Sequence, residues 1–164
     1  DARERPVYRE RFIHGEIYKV RADVNAVVHS HSPTVIPFSV TEKPLRAIFH
    51  NGHFLGSATP VWEIREHAGE NNNMLVLTQE LGRSLALALG QGSVILMRGH
   101  GNAVVGPDLK TAVFRAIYTE VNAKLQMQAA LLGGPVNFLN QYEQLKKQNV
   151  DRPWATWKKE VGME

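Results

Sequence analysis

The period of apolar and polar positions changes several times along this chain, and each change predicts an element. Over residues 8–21, Phe12, Ile13, Ile17 and Val20 recur at helical spacing with charges between them, which predicts an amphipathic helix. Residues 25–31 switch to a β-branched run that ends in alternation, and this predicts the first strand. Pro33 suits the start of a short helix that runs on from Thr34 to Val40. The pattern weakens over 44–64. There it predicts short strands at 47–49 and 61–64, with a glycine-containing connection at 51–59. Asn71, Asn72 and Asn73 mark a polar loop.

Punctuation is sharper in the second half. Thr78 is placed to cap a helix over 79–89, and Gly90 to stop it. Residues 93–98 and 102–105 predict two strands around a Gly99-His100-Gly101 turn. Asp108 is a good N-cap for a long helix to about Leu132, which Gly133, Gly134 and Pro135 end. A further helix is predicted over 136–149, and a short last one over 153–161. Strands alternating with helices predict a layered α/β fold. No internal repeat appears, and the whole of 1–164 reads as one domain with C-terminal helices over about 136–162.

The chemistry concentrates in three histidines. His29 and His31 stand two apart in the first strand, so both side chains project from one face. His100 is delivered far downstream by a second apolar run, Val94 to Met97. Glycines on both sides of His100 remove β-carbon bulk and permit a tight backbone path. Three imidazoles at strand ends would make a facial metal site with positions left open for substrate. The chain has no cysteine, so thiolate sites and disulfides are excluded and any metal must use histidine and carboxylate.

Composition narrows the class further. Hydrophobic residues make up 43% of 164 residues, enough for a substantial core and unlike a disordered chain. The apolar runs are too short to cross a bilayer, and no secretory signal opens the sequence, so the expectation is a cytoplasmic protein without membrane contact. The net charge of +3 is scattered. Arg3, Arg5, Arg9 and Arg11 are interleaved with Glu4 and Glu10, which reads as a solvated face and not as a nucleic-acid stripe.

The strings AVVHSHSP and MRGHG, with Glu10 upstream, resemble the class II aldolase/adducin family from about residue 8 to about 140. The resemblance implies a three-layer α/β/α fold with a central, largely antiparallel sheet. It implies one divalent metal per subunit (zinc or manganese first, iron or cobalt next) held by His29, His31 and His100. Glu10 would be the acid/base. Family sites lie between subunits, which implies a cyclic homo-oligomer, a tetramer first, acting on a small anionic substrate. The N-terminal portion of the family domain is absent from this sequence, so the resemblance implies an incomplete sheet and pocket.

Within the family, IHGEIYKVRADVNAVVHSHSP, LMRGHGNAVVGP and AVFRAIYTEVNAKLQMQAALLGGPVNFL are similar to the branch that decarboxylates hydroxylated aromatic or pyridine dicarboxylates. That implies a carbon–carbon lyase in which charge moves onto an enolate-like oxygen. The alternatives are an aldolase cleaving a sugar phosphate or hydroxy-keto acid, and a non-catalytic adducin-like interaction module.

Other residues carry weaker expectations, each beside a plainer reading. Tyr118 on the long helix is a candidate proton donor, to its own or a neighbouring subunit's site, or a packing residue. Arg98 is a candidate fork for a substrate carboxylate, or a solvated strand-end arginine. His50 and His53 are candidates for binding a carboxylate or shuttling protons, or part of a polar loop. His14, four residues from Glu10, is a candidate partner for it or merely shares its helix face. His67 sits in an expected turn and is assigned no role. Trp154 and Trp157 are expected to form an apolar helix face.

Overall fold

The computed structural model of the chain describes residues 6–143 and 149–163. The elements run α1 (Arg11–Val20), β1 (Ala26–Ser30), α2 (Ile36–Ser39), a 3₁₀ turn (His50–Leu55), β2 (Val61–Trp62) and α3 (Arg65–Ala68). They continue with α4 (Gln79–Leu89), β3 (Val94–Met97), β4 (Gly101–Gly106), α5 (Leu109–Leu131) and α6 (Asp151–Glu160). Among the described residues the strands form one sheet in the order β1-β4-β3-β2. The β1–β4 and β3–β4 pairs are antiparallel and the β2–β3 pair is parallel.

Strand alternation sorts side chains into two cores, one on each sheet face. Ile95, Met97, Ala103 and Val105 meet Ile13 and Ile17 of α1 and Leu85, Ala86 and Leu89 of α4. Val94, Leu96 and Val104 point the other way, to Val35 and Phe38 around α2 and Ala123 of α5. The fold is therefore α/β/α in three layers. Helix ends follow the expected chemistry. The Thr78 side chain accepts the Leu81 N–H, and that of Asp108 accepts the Thr111 N–H.

Two expected elements differ. Residues 47–49 form no strand. The segment 44–48 runs beside α5 and takes four of its hydrogen bonds from side chains one helical turn apart, while the Ala47 N–H goes to the Gly56 carbonyl and the Leu45 carbonyl accepts the Thr59 N–H. Asn122 accepts the Ile48 N–H at 3.0 Å and donates to the Arg46 carbonyl at 2.7 Å. Gln126 accepts the Arg46 N–H at 3.0 Å and donates to the Pro44 carbonyl at 2.8 Å. The described part of the expected 136–149 helix, residues 136–143 and 149, is not helical, and 144–148 lie outside the described residues. The Leu139 N–H goes to the Ala47 carbonyl at 2.9 Å and not to a helical partner, and Arg46 lies over the Phe138 ring at 4.0 Å. Smaller differences are β2, which stops at Trp62, and His67, which lies in the short α3 and stacks on Trp62.

Asn122→Ala leaves the Ile48 N–H and Arg46 carbonyl without these partners. A cost of about 1–3 kcal/mol for each group left buried and unpaired is expected in urea unfolding. The exposed neighbour Lys124→Ala is expected to stay within about 0.5 kcal/mol of wild type.

Candidate metal centre

Strand β1 carries its alternation to the edge of the sheet. Val27 faces the α1/α4 core, and His29, two residues on, points to the same side. The next residue on that side, His31, lies just past the strand end. His100 arrives from the β3–β4 turn, closed by the His100 N–H on the Met97 carbonyl at 3.0 Å. Gly99 adopts the left-handed backbone with φ +63°, as the turn requires. At Gly101 a β-carbon would lie 2.2 Å from the Ser30 carbonyl oxygen and 3.1 Å from His31 Cδ2. Only glycine lets the third histidine's strand come this close to the first two.

Glu10 sits at the N-cap position of α1, one residue before the helix. Its position brings the carboxylate onto the three imidazoles. Glu10 Oε2 lies 3.5 Å from His100 Nε2 and 3.8 Å from His29 Nε2. His29 Nε2 and His31 Nε2 are 3.2 Å apart. One ligand atom from each of the four residues lies within 4.8 Å of the other three. Donors about 2.0–2.1 Å from one tetrahedral ion stand about 3.3–3.5 Å apart, so these spacings suit a shared ion.

His29 and Glu10 are each held in a ligand-ready state. His29 Nδ1–H donates to the Asn102 carbonyl at 3.1 Å, which fixes the tautomer and leaves Nε2 with its lone pair. Glu10 Oε1 accepts the Val76 N–H at 3.0 Å, leaving Oε2 turned to the histidines. His100 Nε2 is buried without a hydrogen-bond partner. An orphaned ring nitrogen beside a carboxylate and two further imidazoles fits a divalent cation of the zinc, manganese, iron or cobalt group. His31 is exposed and marks the open side.

Several contributors gave no sequence signal strong enough to single them out. Asn102 is fully buried, and its side-chain oxygen accepts the Ser30 hydroxyl at 3.1 Å. An asparagine at the head of the apolar run Ala103-Val104-Val105 was the available hint. The polar loop at 71–73 delivers Val76 and Met74 to the site. Asn72 and Asn73 side chains accept the Met74 and Leu75 N–H groups, and Met74 takes a left-handed backbone with φ +64°.

The remaining expected site residues lie elsewhere. Tyr118 packs in an aromatic cluster, its ring 4.5 Å from Phe114, 5.8 Å from Phe49 and 6.1 Å from Trp157. It shares a cavity of about 460 Å³ with His50 and Arg152, separate from the four-residue cluster. His53 faces a different cavity with Ser57 and Leu139, and its Nδ1–H donates to the His50 carbonyl. Arg98 Nε lies 2.6 Å from Glu63, whose carboxyl Arg65 and Arg98 pull down to about 2. His14 meets the Tyr8 ring, and the partner of Glu10 Oε1 is the Val76 backbone instead.

Burial pushes His29 and His100 below the ordinary imidazole value of 6.5. The Glu10 carboxylate and, for His29, the Asn102 carbonyl oppose that shift, and burial outweighs them. With lowered folded values, the unfolded chain binds protons first as pH falls. Metal-free stability is expected to be full above about pH 6.5 and to fall as pH drops through the folded values. Urea midpoints followed downward from about pH 8 check this, and a weaker slope is expected for His100→Ala.

Residues 2–127 match the model of the class II aldolase and adducin N-terminal domain. The decarboxylase tropJ of Talaromyces stipitatus is 36% identical over 179 residues, covering 94% of this chain and 67% of tropJ. The 3,4-dihydroxyphthalate decarboxylase of Arthrobacter keyseri is 28% identical over 127 residues, covering 77% of this chain and 50% of that enzyme. The chain thus spans between half and two thirds of the length of these relatives. A solved aldolase II superfamily protein from Pseudomonas syringae superposes with a TM-score of 0.73 at 22% identity, over 92% of this chain and 61% of that one. By the match over residues 2–127 and by its fold, the chain belongs to the class II aldolase and adducin family.

Proposed function

We propose that this chain forms the metal-holding part of a decarboxylase acting on a hydroxylated aromatic or heteroaromatic dicarboxylate. The observation that carries the reading is the buried Glu10 carboxylate, held by the Val76 N–H and turned onto three imidazoles beside an open side at His31. The names of the relatives support the choice of reaction, since both are decarboxylases and dihydroxyphthalate is a hydroxylated aromatic dicarboxylate.

His29, His31 and His100 would hold a divalent ion, zinc or manganese first. Such an ion, when bound, supplies positive charge that draws electrons toward the substrate oxygens as carbon dioxide leaves. Loss of carbon dioxide leaves an electron pair on the substrate, and the carbon that held the carboxylate must gain a proton. Glu10 is the group placed to carry that proton, taking it from the substrate hydroxyl or from water on the open side and giving it to that carbon. Its Val76 hydrogen bond keeps the free oxygen aimed while the proton moves. Arg98, His50 and His53 lie outside the four-residue cluster of one chain, and we propose them as carboxylate-binding groups where neighbouring copies complete the site.

The metal cluster and the Tyr118–His50 cavity are separate within one chain. We place them together in a cyclic homo-oligomer, a tetramer first, where Tyr118 acts on a neighbouring copy's site. Retro-aldol cleavage of a sugar phosphate would use the same four groups and is the competing reading. An interaction module would need none of them.

The test is turnover by the metal-loaded full-length protein, with dihydroxyphthalate and a sugar phosphate offered in parallel. Carbon dioxide from the dicarboxylate is expected, with kcat lower by about 10²–10⁴-fold in Glu10→Gln. An aldehyde from the sugar phosphate without carbon dioxide release would contradict the reading, as would no turnover of either.

A further inference from the structure

The segment that joins His31 to the His100 turn is pinned at both ends by serines. Ser32, next to His31, caps the turn into α2. Its hydroxyl accepts the Val35 N–H at 3.2 Å, and its carbonyl accepts the Ile36 N–H at 3.0 Å. The same hydroxyl donates to the carboxylate of Glu120, on α5. At the far end of α2, Ser39 is 5% exposed. Its hydroxyl donates to the Ile36 carbonyl at 2.7 Å and accepts the Gly99 N–H at 2.9 Å. Gly99 directly precedes His100.

Helix α2 is therefore a strut between two ligand-bearing turns. Val35 and Phe38 bury it in the core beneath the sheet, so it moves only with that core. His31 depends on such support more than the others. His29 is anchored by the Asn102 carbonyl and Glu10 by the Val76 N–H, whereas the exposed His31 ring faces His29 Nε2.

We infer that Ser39 and Glu120 are positioning residues for the metal centre, which fix the separation of His31 and His100 through the two ends of α2. This rests on the metal-holding reading above. Groups that orient a ligand without touching the ion change metal affinity by about 10–100-fold when removed.

The experiment is zinc affinity by competition with a chelator, and the visible spectrum of the cobalt-substituted protein. Both are run on wild type, Ser39→Ala, Glu120→Ala and Glu120→Gln, beside the thermal midpoint of each metal-free chain. Ser39→Ala and Glu120→Ala are expected to lose about tenfold or more in zinc affinity and to shift the cobalt bands. Glu120→Gln keeps an acceptor for the Ser32 hydroxyl and is expected to return close to wild type. Lower thermal midpoints with unchanged affinity and spectrum in both alanine variants would overturn the inference and leave a purely structural role. A wild-type chain that binds neither metal would overturn the centre itself, and the inference with it.

Discussion

The structure depends on keeping one carboxylate out of water. Glu10 is 6% exposed, and an isolated buried carboxylate is costly unless it is paired and hydrogen-bonded. Here one oxygen is satisfied by a backbone N–H and the other faces two neutral-prone imidazoles. Neutral imidazoles offer that oxygen little compensation, and a divalent cation between them offers a great deal. The fold carries a local electrostatic debt that its own side chains do not settle, and this is the physical argument for a metal.

Each layer of the fold contributes a different part of this arrangement. The sheet supplies direction, because alternation along β1 aims His29 and His31 together and the β1–β4 register sets Ser30 against Asn102. The α1/α4 layer supplies Glu10 at a helix entry and the loop that reaches it with Val76. The opposite layer supplies α2 and α5, whose polar residues act as braces. Asn122 and Gln126 hold the chain between α2 and the 3₁₀ turn, and Glu120 reaches the turn after His31. α5 is therefore a spine lined with amides and a carboxylate on its inner side as well as an apolar packing surface.

Much of this was legible in the sequence where the signal is local. Helix α4 followed from Thr78, Gly90 and the apolar spacing between them, and α5 began where Asp108 marked it. The shared face of His29 and His31 followed from a period of two, and the glycines beside His100 announced a close approach. Long-range partnerships were not legible. Residues 47–49 have strand-like composition, but the Ile48 N–H goes to Asn122 of α5 and the Ala47 carbonyl to Leu139, and no local pattern encodes a partner more than seventy residues away. Residues 136–143 read as helix until Leu139 and Phe138 found better partners on the 44–48 segment. Tyr118 has the right chemistry for a proton donor, and only the packing of α5 against α6 shows that it lies with Phe114 and Trp157.

The most direct test of the metal centre is the metal content of the purified protein, wild type beside His100→Ala, after exposure to zinc or manganese. Close to one ion per wild-type chain is expected, with most of it lost in the variant because one of the three imidazoles assigned to hold it is removed. A folded wild-type chain that holds no ion, or a variant that holds as much as wild type, would contradict the assignment.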